Sequence, residues 1–493
     1  MKRTEWAKKA VCALGSLALA STMVVAVPGG YAKAAGVYEV DDVLDGIEDK
    51  GELQAFADFV NAGEDFAGKT VTLEENLNLG GAQLVPIGTK EHPFKGAFDG
   101  KGKTVRNFKL QGSQYVGLFG YVGAGATIAN LNIGSGVTVE ASSSTEVIKC
   151  VGSLAGYVHG AIDANAPAIS NCSSDAAVTV TSTFDASKAQ NAKEQEPNSD
   201  LGGKTDGGRT IEFIGGLVGY CAGGMEGCEF SEDASLEVTT HENPMEDSPT
   251  IVNAVGGVAG QAGGYVVERA TKKKALFEPG YPKADGTHAV DGTVVLVSNC
   301  KNKAQVKTTV DGDGGKDRFG EDLSAKLTSV GGVVGYAMCN IDGCTNTGTI
   351  DSETGDGSGG IVGSVRGVVV TGSSAAGSDA GCYKPDGADE SARMEGPDLT
   401  VSNCTNNATV SGLHAVGGIT GCAGTYTRVT ASANKYRSAT KVGVLGTRWN
   451  KPTSGGVVGQ AYGNIDHCYS RANCESKTGA GYYIAGEVGS LAR

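Results

Sequence analysis

The chain has 493 residues, 40% hydrophobic, 19% charged and 6% aromatic, with 77 glycines against 12 prolines. This composition excludes collagen and Pro-rich linkers, and so few aromatics suit thin repeated layers better than one bulky core. A formal net charge of -14 argues against general affinity for nucleic acid or anionic lipid.

Residues 1–34 read as a secretory leader. Lys2, Arg3, Lys8 and Lys9 form a basic start, Ala10 to Val27 is apolar and small, and Ala32-Lys33-Ala34 offers a cleavage site. The expected mature chain begins near Ala35, is secreted or held at the cell surface, and has no membrane span once the leader is removed. Residues 35–114 are expected to form an N-terminal cap and the first coils. Leu53, Phe56 and Val60 share one helical face and Gly63 stops the helix, which would cover the open edge of a strand stack. Short strands follow around Val71-Thr72-Leu73 and Leu77-Asn78-Leu79. Pro86-Ile87-Gly88-Thr89 comes next, and then a glycine-punctuated run from Phe94 to Val105 with a turn signal at Asp99-Gly100.

From residue 115 to 493 one pattern recurs. Gly331-Gly332-Val333-Val334-Gly335 is followed by Ile341-Asp342-Gly343-Cys344. Gly256-Gly257-Val258-Ala259-Gly260 leads to Val297-Ser298-Asn299-Cys300, and Gly359-Gly360-Ile361-Val362-Gly363 to Val401-Ser402-Asn403-Cys404. Related units start at Val116, Val151, Gly215, Gly417, Gly455 and Ala485, and the unit near Ala433 lacks its Cys. The last unit is cut by Arg493, from which a truncated gene or a missing C-terminal part is expected. A single unit has no second face to bury itself against, so the units must stack. The tightest unit, Gly332 to Gly360, suits about three strands of roughly five residues per coil, with coils ~4.8 Å apart. The fold class expected is all-β: a parallel β-helix, with polar insertions at 182–210, 264–294, 309–327, 373–397 and 424–452 projecting as loops.

The Gly-Gly-hydrophobic-hydrophobic-Gly unit followed by Ser-Asn-Cys resembles the GLUG repeat of bacterial surface proteins. The upstream Pro86-Ile87-Gly88-Thr89 and Phe94-to-Val105 segments are similar to the stretch that commonly precedes such repeats. The resemblance covers about 50–490. It implies a right-handed β-helix on secreted or wall-attached, adhesin-like proteins, and it extends to the β-helical parts of immunoglobulin A-cleaving metallopeptidases.

Signals for chemistry are sparse. With six His and no H-E-x-x-H, the zinc-peptidase pair is missing. His467 stands alone beside Cys468 and reads as a surface or structural residue. Gly355-Asp356-Gly357-Ser358-Gly359-Gly360 satisfies G-x-G-x-x-G, but no helix follows it and it reads as a turn before a coil. Asp311-Gly312-Asp313-Gly314-Gly315-Lys316-Asp317 resembles a calcium loop, yet Lys316 stands where an EF-hand needs Gly, and Asp322 where it needs Glu. Cys172, Cys228, Cys300, Cys344, Cys404 and Cys468 share one repeat position. A buried column of thiols is favoured there over disulfides, because parallel side chains make poor bridge geometry. The sequence therefore assigns no catalytic residue, no metal ligand and no cofactor. The leading functional expectation is a non-catalytic, adhesin-like binding scaffold whose partner is a glycan or protein of a host or neighbouring cell. The segment with Arg269, Lys272, Lys273, Lys274, Phe277, Tyr281 and His288 is its foremost contact candidate. A polysaccharide-processing β-helix enzyme and a spacer within a larger surface protein are the alternatives.

Overall fold

A computed structural model describes residues 38–144, 148–160, 166–182, 210–241, 251–263, 295–311, 328–353, 355–365, 399–412, 415–424, 427–435, 453–461 and 463–471. It also describes the strand pieces Tyr265–Arg269, Lys274–Glu278, Tyr281–Pro282, His288–Ala289, Val369–Val370, Thr440–Val442, Cys474–Ser476, Gly481–Tyr482 and Ala485–Val488. The expected leader lies outside the described residues. The chain divides into two units, Met1–Glu39 and Val40–Arg493, and every element named below belongs to the second.

That unit is a parallel β-helix. One coil begins with Thr328–Gly331 on a first face and turns at Gly332 into Val334–Met338 on a second. It continues with Asn340–Asp342 on a third, and with Thr345–Asn346 and Ile350–Ser352 on a fourth. The next coil starts at Gly355–Gly359, which pairs in parallel with Thr328–Gly331. The third face is a ladder of ten strands from Thr70–Thr72 to Asn464–Asp466, and the second a ladder of nine from Phe119–Ala124 to Ala485–Val488. Crossovers between parallel strands of one sheet are right-handed as a rule.

The coil has four faces where about three strands were expected. The difference lies in strand length. Thr345–Asn346 is only two residues long, because Asn346 Nδ2 donates to Gly348 O at 2.9 Å and bends the chain at once. Gly355–Gly359, expected as a turn, is a strand of the first face. Gly357 is required there because a Cβ would lie 2.7 Å from Ser364 Oγ and 2.8 Å from Gly363 O.

The interior consists of columns of apolar side chains, one residue per coil. On the third face Phe98, Ile128, Ile169, Met225, Val297, Ile341, Val401 and Val429 stack in register. On the fourth, Val139, Val178, Leu236, Val306, Ile350 and Val410 do so. All are buried. The first open end is closed by helix α2, Lys50–Asn61, which follows a short helix α1, Val40–Leu44. Asp49 caps α2 by accepting from Gly51 N and Glu52 N, and Glu52 accepts in return from Asp49 N. Its buried face includes Leu53, Phe56 and Val60. The Phe56 ring meets Phe66, Phe94 and Phe98 with centroids 5.2, 5.5 and 5.9 Å away. Asn61 ties the helix end to the first coil, donating to Pro86 O and accepting from Gly88 N. The Pro-Ile-Gly-Thr stretch is thus the first rung of the second face: Ile87 N donates to Leu118 O, and Gly120 N to Ile87 O.

Candidate functional site

Two of the four corners have nearly constant length, and each is closed by a stack of specific residues. The corner between third and fourth faces takes four residues in the first two coils, as from Asp99 to Thr104, and two in every coil from Ala129–Asn132 onward, as from Ser298 to Lys301, Asp342 to Thr345 and Ser402 to Thr405. Its first residue has left-handed backbone: Asn171, Asn299 and Asn403 at φ 51°, 54° and 54°, Gly227 and Gly343 at 63° and 64°. Gly and Asn tolerate this conformation best, which explains the Asn or Gly before each Cys. His467 occupies this place at φ 49° with its side chain 83% exposed, a surface turn residue.

The second residue is the Cys of the motif. Cys172, Cys228, Cys300, Cys344 and Cys404 are buried free thiols, and Cys468 is half-buried. In the unit without Cys, Ser432 takes the place and donates to Thr430 O at 2.9 Å. Cys300 is hydrogen-bonded to Cys228, and that contact together with burial holds the Cys228 thiol well above its ordinary range. Burial, helped by nearby Cys228 and opposed by a hydrogen bond to Gly223 O, lifts Cys221 to about 12. Such thiols stay protonated and are poor nucleophiles or metal ligands at neutral pH.

The Gly-Gly corner is constant for a different reason. A Cβ on Gly332 would lie 2.1 Å from Gly360 O and 2.6 Å from Asn346 Cγ, and Gly257, Gly360 and Gly418 are hemmed in alike. The asparagines form a buried ladder that the sequence reading missed. Asn302 Nδ2 donates to Asn346 Oδ1 at 2.8 Å, Asn346 to Asn406 at 2.8 Å and Asn406 to Asn434 at 3.2 Å. The signal was available: each Asn stands two residues after the Cys or Ser of the corner between third and fourth faces. At the ladder's start Asn302 registers with Phe230, and its Oδ1 has no partner. One coil earlier, Ser153 replaces the glycine and Ser174 the Asn, with Ser153 Oγ 2.8 Å from Ser174 Oγ and donating to Gly216 O.

The other two corners vary widely. From second to third face the chain can cross by one residue, Met338 to Asn340, or leave for long excursions from Gly263 to Leu296 and from Val365 to Leu399. From fourth to first it crosses by two residues at Ser352 to Gly355, but departs at Ser182 to Thr210, His241 to Ile251, Asp311 to Thr328 and Val442 to Thr453. These corners flank the first and second faces on either side. The segment expected as an insertion at 424–452 is different: Thr427–Thr430, Ala433–Asn434 and Thr440–Val442 are coil strands paired to their neighbours.

Two of the excursions meet. Lys274–Glu278 pairs antiparallel with Tyr265–Arg269 and, on its other edge, with Val369–Val370. The excursions leave second-face strands two coils apart, and the coil between them turns tightly at Cys339. Tyr281–Pro282 pairs with His288–Ala289 and lies against the second-face strand Ala155–Gly160. Of the residues named from sequence, Arg269 registers with Lys274 and Phe277 with Val369. Tyr281 and His288 fall in the small hairpin, and Lys272 and Lys273 lie outside the described residues. The acidic loop keeps only Asp311, at a strand end, inside them.

Elsewhere, residues of the first and second faces pack on one another. Phe213 stacks on Tyr220 at 5.0 Å, and tilted ring pairs follow, Tyr220 with Tyr157 at 5.3 Å and Tyr157 with Tyr121 at 4.4 Å. With Cys150, Ala254 and Met338 they form a cluster, against which half-buried Tyr115 and Tyr336 pack. Toward the other end the same columns shrink to Ser329, Ser364, Ala415 and Cys422, with Ser329 Oγ donating to Ser364 Oγ at 2.8 Å. Among the described residues no three His, Cys, Asp or Glu side chains gather as a metal site would require. A cavity of about 130 Å³ opens between α2 and the segment Leu79–Ile87.

The family described as the GLUG motif matches residues 327–351, the coil used above to define the four faces. No curated protein matches the chain. Among solved structures, the chain is similar to a candidate immunoglobulin A1 protease from Bacteroides ovatus at 12% identity, over 90% of this chain and 84% of that one, with a TM-score of 0.35. A likeness that low carries no argument about activity.

Proposed function

We propose that this chain is a secreted, surface-displayed β-helix that binds a glycan or protein of a host or neighbouring cell and catalyses no reaction. The observation that supports this reading is the confinement of long excursions to two corners. The Cys corner and the Gly-Gly corner are held by stacked residues and take no more than four residues in any described coil. The corners flanking the first and second faces carry the long excursions, and long loops on a rigid scaffold are where contact residues concentrate.

The test is removal of 266–292, replaced by a short Gly-Ser bridge. The expected result is an unchanged β-sheet signal and cooperative melting, with reduced binding to host cells or glycan arrays. Full retention of binding would overturn the assignment of this segment as the contact surface. Loss of cooperative melting would show that the segment belongs to the coil. Secretion is tested separately by N-terminal sequencing of exported protein, with Ala35 as the expected start. Recovery of a chain beginning at Met1 in membranes would refute it.

A further inference from the structure

Glu212 is a carboxylate on the inner edge of the fold that no stacking motif explains. It sits on the first-face strand Thr210–Gly215, directly after the excursion that leaves the fourth face at Ser182. It is fully buried. Its Oε1 accepts from Ile148 N at 3.1 Å and from Ser182 Oγ at 2.9 Å, while Oε2 has no partner. Thr240, paired in register with Ser182 on the next coil, is also buried and its Oγ1 is also unpartnered.

The elements around Glu212 bring it no countercharge among the described residues. The fourth-face strand brings the Ser182 hydroxyl, and the segment before Cys150–Val151 brings a backbone amide. The next first-face strand places Asn253 in register. Lys149, the nearest cation along the neighbouring segment, has its Nζ 5.5 Å from the centre of the Tyr115 ring. A buried carboxylate with one satisfied oxygen and no cation is costly when ionised and far less so when neutral.

We propose that Glu212 is a proton-operated latch: buried and neutral, it holds the corner from which 183–209 departs, and ionised it draws in water and loosens that corner. Burial lifts its carboxyl to about 7, against the opposing hydrogen bonds from Ser182 and Ile148. The folded value is above the ordinary 4.5, so the stabilisation is full below about 4.5 and is lost as pH rises through about 7. Between pH 5.5 and 8.5 the local opening constant should therefore rise roughly thirtyfold for a shift from 4.5 to about 7.

The experiment is hydrogen exchange on the full chain at these two pH values, with rates converted to protection factors. The amides of 148–151 and 210–215 should lose protection by about that factor at pH 8.5, while those of Ile361 and Ile419, three and four coils along the stack, hold theirs. In Glu212→Gln, whose Oε1 still accepts from Ile148 and Ser182, the pH dependence should vanish. Ser182→Ala removes a bond that favours the charged form, so its transition should move to higher pH. It serves as a second variant if the first fails to fold. Equal protection at both pH values in the unaltered chain, or an unchanged pH dependence in Glu212→Gln, overturns the proposal.

Discussion

Replacing Gly332 by Ser tests the account of the Gly-Gly corner. A Cβ at this position would fall 2.1 Å from Gly360 O and 2.6 Å from Asn346 Cγ, both well inside contact distance. The coil spacing is fixed by hydrogen bonds on either side, such as Val333 N to Ile361 O at 2.9 Å, so the backbone cannot give way cheaply. Overpacking of this kind costs about 1–3 kcal/mol. Displacing Asn346 also strains two bonds, to Gly348 O and Asn406 Oδ1, each carrying about 1 kcal/mol or more when its partner is left buried. The single variant should thus lose about 3–5 kcal/mol. The chain itself suggests the compensation, because Ser153 and Ser174 occupy the equivalent places one above the other. Gly332→Ser combined with Asn346→Ser should therefore be more stable than the sum of the two single effects, by about 1 kcal/mol or more. Urea denaturation of the four proteins completes the cycle. A single-variant loss below about 0.5 kcal/mol, or strict additivity, would refute the stacking argument.

Three further predictions concern single residues. Ala431 is exposed at φ 46° where other coils use Asn or Gly, so Ala431→Gly should raise stability by about 0.5–1 kcal/mol, read as a higher urea midpoint. A lower midpoint would show that the turn is not left-handed. Thr420 is buried with an unpartnered Oγ1 between Val362 and Val458 in its column. Thr420→Val should stabilise by about 1 kcal/mol in the same assay, and a loss would reveal a hydroxyl partner. Cys344→Ala should lose little, whereas Cys344→Asp places a charge beside Cys300 and Cys404 and should cost about 4 kcal/mol or more. An aspartate variant that melts at the parental temperature would place this column on the outside.

Several features of the fold can be read directly from residues. The spacing of Leu53, Phe56 and Val60 marks the capping helix, and the recurring Gly-Gly and Asn-Cys pairs mark the two fixed corners. The inward columns follow from one β-branched or aliphatic residue recurring at the same place in each unit. Strand count per coil is not legible in this way. Strands of two residues carry no periodicity, and the bends between them come from side-chain amides such as that of Asn346 reaching a carbonyl two residues on. The same limit made 424–452 look like a loop, because Thr427–Thr430 and Thr440–Val442 are polar strands whose partners lie in other coils.

What the sequence by itself determined is local and repetitive. Glycine where a Cβ would strike the next coil, Asn or Gly where the backbone turns left-handed, and a small thiol or hydroxyl at the inner corner are choices each unit makes within its own few residues. The tertiary structure decided what depends on stacking: that long excursions leave at two of the four corners, that excursions from separate coils pair through Lys274–Glu278 and Val369–Val370, and that Glu212 is sealed in with no cation beside it among the described residues. These follow from contacts between residues tens of positions apart, brought together by the parallel ladders, and no window of the sequence holds both partners.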